Sequence, residues 1–179
     1  MCIRDRSDTT ELYFDNVEIP EQNLIGNEGD GFKICLSTLD GGRIGIAAQA
    51  LGIAQASLEA SINYSKERKQ FNKPISSFQA IQFKLTDMSI AIDSARLLTK
   101  KAAWMKDTGL NFGVYAAMAK LYASEVAMKA STECVQIHGG YGYIKDYGVE
   151  RLMRDAKISH LYEGTSEVQR LVIARDLLK

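Results

Sequence analysis

The sequence has few residues of the kinds that bind metal ions or form covalent crosslinks. Its 179 residues include two histidines, His138 and His160, and three cysteines that are widely separated and show no C-x-x-C spacing. Such cysteines indicate neither a disulfide framework nor a zinc site. A histidine-based metal site would need both histidines together with carboxylates from unrelated positions. We therefore predict no metal site, and reduced thiols fit a cytosolic protein.

The sequence also has no excess charge of either sign and no long apolar run. Lys and Arg total 22 and Asp and Glu total 22, so the formal net charge is zero. Without a positive field, the chain is not expected to attract nucleic acid. No apolar stretch approaches the roughly 18–20 residues of a membrane span, and the N-terminus lacks the apolar centre of a secretory signal. We therefore expect neither a nucleic-acid partner nor a membrane span.

The beginning of the chain differs in pattern from the rest. Residues 1–6 (MCIRDR) share no pattern with the remainder of the chain, and we interpret them as a non-native start. From Thr9 to Pro20 the sequence is rich in β-branched and aromatic residues and alternates partly in polarity, which predicts one or two short strands. No partner strand is apparent further along, so we expect the sheet to belong to a missing part of a larger protein.

After a turn cluster at residues 27–31, apolar residues recur at three- and four-residue spacing almost to the end of the chain. Three long helices are predicted, with the inward residues Ile44, Ala47, Leu51, Ala54, Leu58 and Ile62, then Phe78, Ile81, Leu85, Met88, Ile92, Ala95, Thr99 and Ala102, then Tyr115, Ala119, Tyr122, Val126, Ala130, Cys134 and Ile137. A final short helix carries Val168, Leu171, Val172 and Leu178 after the capping residues Thr165 and Ser166. Four helices with short connections predict an all-α, antiparallel four-helix bundle.

Glu163 is the residue whose position best suits chemistry. The segment HLYEGTSEVQR places it in a loop just before the last helix, where backbone amides and the helix dipole favour an ionised carboxylate. Such a carboxylate could act as a general base if the site supplies a carbon acid. From the spacing alone, an acidic residue that only satisfies the helix dipole is the better interpretation.

Several segments resemble the C-terminal part of the flavin-dependent acyl-CoA dehydrogenase family. YEGTSEVQR is similar to the Y-E-G-T-S-x-x-Q-R segment that carries the catalytic glutamate there. ERKQFNKPISSFQAIQFKLTDM resembles the R-x-x-F-G-x-P segment and the helix after it, and QIHGGYGYIKDYGVERLMRDAKI resembles the Q-I-x-G-G-x-G-Y and R-D-A-K-I segments. TLDGGRIGIAAQALGIAQ is most similar to the short-chain, butyryl-CoA-type branch. The resemblance spans residues 8–179 in the family's order.

The resemblance implies a domain division and a set of partners. Residues 7–28 would be the end of the middle β-domain, with a short strand remnant, and residues 29–179 the C-terminal helical bundle. The family's N-terminal domain and most of its β-domain are absent, so this chain is expected to be inactive alone. The resemblance further implies FAD, an acyl-CoA substrate, an electron-transfer flavoprotein and a homotetramer. The location would be the bacterial cytoplasm, or the mitochondrial matrix in a eukaryote.

The family mechanism, carried over residue by residue, makes Glu163 the base that removes the pro-R α-proton of an acyl-CoA thioester. The β-hydrogen would leave as hydride to the flavin, giving a trans-2-enoyl-CoA, and the thioester oxygen would be bound by the backbone amide of Glu163 and a flavin hydroxyl. Some relatives carry the base at the position of Gly42, which has no side chain, so a straight short-chain substrate is expected. The implied substrate positions are Asp40, Gly41, Gly42, Arg43 and Gly164. Without the family, Asp40 would be interpreted as a helix N-cap.

The implied cofactor positions are Arg68, Gln79, Gln136, Ile137, His138, Gly139, Gly140, Thr165, Ser166 and Glu167. Arg68 would reach the FAD pyrophosphate of a neighbouring subunit, a role that suits a planar, permanently charged donor. Gln79 would contact the flavin, although Ser76 and Gln79 also match an S-x-x-Q capping box. The glycines at 139 and 140 would let main chain approach the adenosine diphosphate part, and would otherwise be a helix C-cap. His138 itself is interpreted as a loop residue.

Two positions depart from the family pattern, and two other functions stay open. Asn72 replaces a usual Gly and Gly148 a common Pro, and Asn tolerates the left-handed backbone that such a turn needs. An enoyl-CoA reductase would use the same base and flavin in the reverse direction. A non-catalytic bundle that only mediates subunit association is the alternative from another class, and the intact YEGTSE segment around Glu163 argues against it.

Overall fold

The computed structural model of the chain describes residues 10–179, so the start predicted to be non-native lies outside the described residues. This part contains five α-helices and one two-stranded sheet. They are α1 (Gly31–Glu67), β1 (Lys69–Gln70), β2 (Lys73–Pro74), α2 (Gln79–Asp107), α3 (Gly113–His138), α4 (Val149–Ile158) and α5 (Ser166–Leu177). The all-α prediction is confirmed. α4 is an additional helix that the spacing of apolar residues did not predict.

The prediction of a strand before Pro20 is wrong for residues 10–20, the part of this segment that the structure describes. Residues 10–20 form no strand, and the next regular element is a short 3-10 helix at Glu21–Asn23. The side chains of Leu12, Tyr13 and Phe14 are 77%, 85% and 78% exposed. β-propensity produces a strand only where a neighbouring strand completes the hydrogen-bond ladder. No segment within residues 10–179 pairs with this one, because β1 and β2 pair with each other.

The core lies where the three long helices meet, and small residues fill it. α1 contacts α2 and α3, and α4 and α5 pack on α3. The fully buried alanines of the three long helices are Ala47, Ala50, Ala54, Ala95, Ala102, Ala116, Ala117, Ala119, Ala123 and Ala127. Small side chains at a contact allow helix axes to approach closely. The predicted inward faces of the three long helices are confirmed, apart from Tyr122, which is exposed.

The apolar face predicted for the last helix is wrong. Val168, Leu171 and Leu178 are exposed, and α5 instead buries Ser166 and Gln169. The reason is that, among the helices, α5 packs mainly on α3. Its outward apolar side chains therefore have no surface to cover within the described chain.

Local sequence signals set the helix ends and the tight turns. Thr165 is the N-cap of α5, where its side chain accepts a hydrogen bond from the Val168 amide at 3.3 Å, as predicted. The predicted Ser76–Gln79 capping box is wrong, because α2 begins after Phe78 without a side-chain cap. The side-chain Nε2 of Gln82 instead donates to the Ser76 carbonyl at 3.0 Å.

The two departures from the family pattern both occupy left-handed backbone. Phe71 and Asn72 join β1 to β2 with φ of 51° and 64°, the pattern of a two-residue type I′ hairpin turn. Gly148, the N-cap of α4, has a φ of 69°. A proline would fix φ near −65°, so proline does not fit residue 148 in this conformation.

Gly142, in the 3-10 helix after α3, is packed too closely to accept a side chain. A Cβ added there would lie 2.5 Å from the Val135 carbonyl oxygen and 2.9 Å from the His138 Cβ. We expect Gly142→Ala to lower the free energy of unfolding by about 1–3 kcal/mol, the usual cost of overpacking. Chemical denaturation of the full-length protein, meaning the longest native product that carries this chain, measures the change.

The matched control is Gly140→Ala, because a Cβ added at Gly140 meets nothing within 4 Å. Its unfolding midpoint should stay close to that of the wild type. Equal midpoints for the two variants would contradict the close packing of Gly142.

Candidate active site

Glu163 occupies a strained turn that connects the end of α4 to the N-cap of α5. Its φ is 55° and that of Gly164 is 91°, so two successive residues are left-handed. The Ser166 amide donates to the His160 carbonyl at 3.0 Å and closes the loop. Left-handed backbone costs a side-chain-bearing residue about 1–2 kcal/mol. Such strain concentrates at functional sites, where the surrounding structure holds it in place.

The side chain of Glu163 crosses to α1 and lies against Gly42. A Cβ added at Gly42 would lie 2.8 Å from Glu163 Oε2 and 3.2 Å from its Cδ. Glycine in a helix interior costs roughly 0.5–1 kcal/mol relative to alanine. At Gly42 the missing side chain provides the space for the carboxylate. The structure therefore brings together two predicted site residues that are far apart in sequence.

The buried Arg43 and the partly exposed Asp40 form a charged pair beside this contact. Arg43 is 7% exposed, and its Nη1 donates to Asp40 Oδ1 at 2.5 Å. The Nε of Arg43 is buried and has no hydrogen-bond partner within the described chain. Asp40 lies well inside α1, so the N-cap interpretation is wrong. Its carboxylate also packs on Gly113 at the start of α3, where an added Cβ would lie 3.1 Å from Asp40 Oδ2.

Two fully buried side chains donate hydrogen bonds to the main chain of this turn, and neither was predicted from the sequence. Lys120 of α3 donates to the Gly164 carbonyl at 2.7 Å. Gln169 of α5 donates to the carbonyls of Glu163 and Gly164 at 3.1 Å and 2.9 Å. Burial and then the nearby Arg43 lower the pKa of Lys120 to about 8, while Glu163 and Glu167 oppose the shift. A lysine within the alanine-rich buried face of α3 was the available sequence signal.

Half of the predicted cofactor positions, namely Arg68 and residues 137–140, line one groove. The groove has a volume of about 470 Å³ and is lined by Tyr64, Arg68, Gln70, Ile75, Ile137, His138, Gly139, Gly140, Tyr141 and Ile144. The Arg68 guanidinium lies 5.5 Å from the centroid of the Tyr141 ring. Cβ atoms added at Gly139 and Gly140 would meet nothing within 4 Å, so these glycines leave the groove open. A guanidinium, aromatic rings and accessible main chain suit a phosphate-bearing aromatic ligand.

His138 is a buried packing residue at the end of α3 and not a loop residue. Its ring stacks on Tyr64 at 4.1 Å between centroids, and its Nδ1 donates to the Cys134 carbonyl at 2.8 Å. Burial lowers the pKa of His138, and the hydrogen bond to Cys134 partly opposes this. The predicted C-cap is confirmed, because α3 ends at His138 and Gly139 follows with a φ of 61°.

The remaining predicted cofactor positions do not line the groove. Gln79 and Gln136 are exposed on α2 and α3. Thr165, Ser166 and Glu167 form the N-terminus of α5 directly after the Glu163 turn. The Ser166 hydroxyl is buried and has no partner among the described residues. Hydrogen bonds from its own backbone amide and from Thr165 lower the pKa of the exposed Glu167.

Residues 10–179 contain neither a cluster of metal-binding side chains nor a helix that could span a membrane. This part of the chain places no three His, Cys, Asp or Glu side chains where they could hold a metal ion. None of its helices is both long and apolar enough to cross a membrane.

With this fold and site, the chain belongs to the acyl-CoA dehydrogenase family. The family model described as "Acyl-CoA dehydrogenase, C-terminal domain" matches residues 29–178. Among its relatives, "Probable acyl-CoA dehydrogenase YngJ" of Bacillus subtilis is 61% identical over 97% of this chain and 46% of its own length. "Acryloyl-CoA reductase (NADH)" of Anaerotignum propionicum is 50% identical over 97% of this chain and 44% of its own length. The chain thus spans less than half of these relatives.

Solved structures agree with this assignment and point to the short-chain branch. Butyryl-CoA dehydrogenase from Megasphaera elsdenii superimposes with a TM-score of 0.92 and 57% identity, covering 93% of this chain and 43% of that one. A structure described as "Electron transferring flavoprotein of Acidaminococcus fermentans: Towards a mechanism of flavin-based electron bifurcation" matches with a TM-score of 0.92 and 55% identity, covering 93% of this chain and 44% of that one.

Proposed function

We propose that the full-length protein is an FAD-dependent dehydrogenase that converts a short-chain acyl-CoA to the trans-2-enoyl-CoA, with Glu163 as the base. The observation that carries the proposal is the Glu163 carboxylate, held in a left-handed turn against Gly42. Family membership supports the reaction class, and the butyryl-CoA dehydrogenase relative supports a short straight acyl chain. The absence of a side chain at Gly42 leaves Glu163 as the one carboxylate at this contact.

Glu163 has two roles in this proposal, one from its side chain and one from its main chain. The carboxylate takes the α-proton of the thioester. That proton is far less acidic than a carboxylic acid with a pKa near ~4.3, so the negative charge that forms on the thioester oxygen must be stabilised. No hydrogen bond within residues 10–179 occupies the Glu163 backbone amide, so it is available to donate to that oxygen. Displacement of water by the acyl chain would strengthen both interactions.

Two separate parts of the chain fit FAD. Arg68 and the main chain at residues 138–140 would hold its phosphates, and the unpartnered Ser166 hydroxyl with Thr165 and Glu167 would contact it beside the base. When bound, FAD accepts the β-hydrogen as hydride. The separation of the two parts suits a tetramer in which each groove serves a neighbouring subunit's FAD. Gln79 and Gln136 are proposed as contacts through the family resemblance.

Anaerobic titration with butyryl-CoA tests the proposed function. The purified full-length protein should carry FAD, and its visible flavin absorbance should be bleached by butyryl-CoA without any other reductant. The same titration with a long-chain acyl-CoA should bleach the flavin much more slowly, because the proposal is for a short chain. A stably bound flavin that butyryl-CoA leaves oxidised would contradict the proposal.

An enoyl-CoA reductase is the second candidate, and the relative named "Acryloyl-CoA reductase (NADH)" supports it. Both reactions use the same base and the same flavin, so the electron partner decides the direction. The dehydrogenase is expected to pass electrons to an electron-transfer flavoprotein, a partner that the matching structure of Acidaminococcus fermentans supports. Rapid flavin reduction by NADH, together with enoyl-CoA consumption, would favour the reductase.

The domain division is also a proposal. Residues 7–28 would complete the middle β-domain and residues 29–179 would form the C-terminal helical domain. The exposed apolar side chains of residues 10–20 support this, because they would pack in a sheet supplied by the rest of the enzyme. The chain alone is then expected to hold FAD poorly and to be inactive. The proposed location is the bacterial cytoplasm, or the mitochondrial matrix for a eukaryotic source.

An exposed apolar stripe on α2 supports the proposed homotetramer. Phe83, Ile90, Leu97 and Trp104 recur every seven residues and are 62%, 61%, 70% and 58% exposed. A seven-residue apolar repeat is the pattern by which helices pair side by side. We expect Leu97→Lys to weaken association of the full-length protein at least about tenfold, or roughly 1.4 kcal/mol. Sedimentation velocity over a dilution series measures this.

Ser89→Lys is the control for this prediction, because Ser89 is exposed on α2 but lies off the apolar stripe. Its assembly should match that of the wild type. If Leu97→Lys and Ser89→Lys both remained tetrameric on dilution, the stripe would not be the interface.

A further inference from the structure

Two buried side chains from different helices converge on the carbonyl oxygens of the Glu163 turn. Lys120 Nζ lies 2.7 Å from the Gly164 oxygen, and Gln169 Nε2 lies 2.9 Å from the same oxygen and 3.1 Å from that of Glu163. Both side chains are 0% exposed. The turn is therefore connected to α3 and α5 by three hydrogen bonds from fully buried donors.

These hydrogen bonds satisfy polar groups that the turn itself leaves without partners. Two left-handed residues in succession direct their carbonyls away from any helix or strand ladder, and a buried carbonyl without a donor costs about 1–3 kcal/mol. A charged donor such as Lys120 makes the stronger kind of hydrogen bond. Without these donors, the peptide groups at residues 163 and 164 would be expected to rotate toward a less strained conformation.

The chemistry of the two residues argues against a purely packing role. A methionine would fill the space of Lys120 without the cost of burying a cation. That cost is visible in the lysine, because burial is the first cause of its lowered pKa. Gln169 likewise keeps a buried Oε1 that has no partner in the described chain. Both residues retain costly polar groups, and both direct their donors at the same turn.

We propose that Lys120 and Gln169 are positioning residues for Glu163, which fix the left-handed turn so that its carboxylate stays against Gly42. The inference rests on the proposed role of Glu163 as the base. The two residues act through the main chain and touch no reacting atom. A base displaced by about 1 Å can lose on the order of 100-fold in rate, so the orientation of this turn is part of the catalytic arrangement.

Lys120→Met and Gln169→Met in the full-length, FAD-loaded protein test the proposal. Both replacements are unbranched, tolerate a helix and remove the donor groups. Stopped-flow flavin reduction at saturating butyryl-CoA should be about 10–100-fold slower per bound flavin in each variant. The dissociation constant for butyryl-CoA should change no more than about twofold, because positioning of the base affects the chemical step and not ground-state binding.

The matched control is Arg170→Met, which is next to Gln169 on α5. Arg170 pairs with Glu125 of α3, so its loss also removes a link between α3 and α5 but leaves the Glu163 and Gly164 carbonyls untouched. Its rate per bound flavin should equal that of the wild type. A wild-type rate in Lys120→Met and Gln169→Met would overturn the proposal, as would an equal slowing in Arg170→Met.

Crystal structures of the two variants give a readout that does not depend on activity. The expected result is that Glu163 leaves positive φ and that its carboxylate moves away from Gly42. An unchanged turn would overturn the proposal, even if the wild type showed no reaction with acyl-CoA and the proposed function had failed. If Lys120→Met does not fold, Gln169→Met decides both measurements.

Discussion

Glu163→Gln in the full-length protein is expected to lower the rate of flavin reduction by butyryl-CoA by about 10²–10⁴-fold, the usual contribution of a general base. The amide has nearly the shape of the carboxylate and can keep the contact with Gly42, because Gly42 has no side chain in that space. It cannot accept the α-proton. FAD content and the free energy of unfolding should stay unchanged, because the substitution affects one partly exposed side chain.

The control for this variant is Glu59→Gln, which makes the same chemical change on α1 at an exposed residue that pairs with Gln55. It should reduce flavin at the wild-type rate. A loss of less than tenfold in Glu163→Gln, with FAD bound, would show that another group takes the proton. Loss of FAD from the variant would instead indicate that Glu163 serves mainly to hold the loop.

Gly42→Ala is expected to slow flavin reduction by about 10–100-fold without unfolding the protein. The new Cβ would occupy the position 2.8 Å from Glu163 Oε2, so the carboxylate has to move. The displaced atoms are the end of a flexible side chain, and alanine favours helix over glycine, so the fold should tolerate the change. The predicted variant is a stable enzyme with a misplaced base.

Gly45→Ala is the matched control, because Gly45 also lies inside α1 and an added Cβ there meets nothing within 4 Å. It should keep the wild-type rate and gain roughly 0.5–1 kcal/mol of stability from improved helix propensity. Stopped-flow kinetics and denaturant unfolding of both variants measure the contrast. Equal rates for Gly42→Ala and Gly45→Ala would contradict the placement of Glu163 against α1.

The helical core could be predicted from sequence because burial follows the helical period. Ala47, Ala54, Met88 and Ala95 were predicted inward from spacing alone, and all are buried. α4 was not predicted because it has only 10 residues and comes after two short 3-10 helices. Its inward residues are too few to set a period by themselves.

The errors at the two ends of the chain have one physical origin. Residues 10–20 have strand-forming side chains and α5 has an apolar face, yet both need a partner surface to bury them. Within the described chain, Phe14 and Leu171 remain 78% and 56% exposed. Local propensity does not report whether that partner surface is present.

The sequence could predict the main residue of the candidate site, but not the residues that hold it in place. The identity of Glu163 came from the resemblance, while its contact with Gly42 joins residues that periodicity does not relate. Lys120 and Gly164 are 44 residues apart, and a charged residue on α3 would ordinarily be expected to face solvent. Such contacts depend on how α3, α4 and α5 pack, which the one-dimensional pattern does not specify.

Exchange of the C2 hydrogen of butyryl-CoA with deuterium oxide is the most direct test of Glu163 as the base. The full-length protein should catalyse incorporation of one deuterium at C2, measured by mass spectrometry, and Glu163→Gln should reduce this to the uncatalysed rate while FAD stays bound. Exchange at the wild-type rate in Glu163→Gln would contradict the assignment, because the proton would then be removed without this carboxylate.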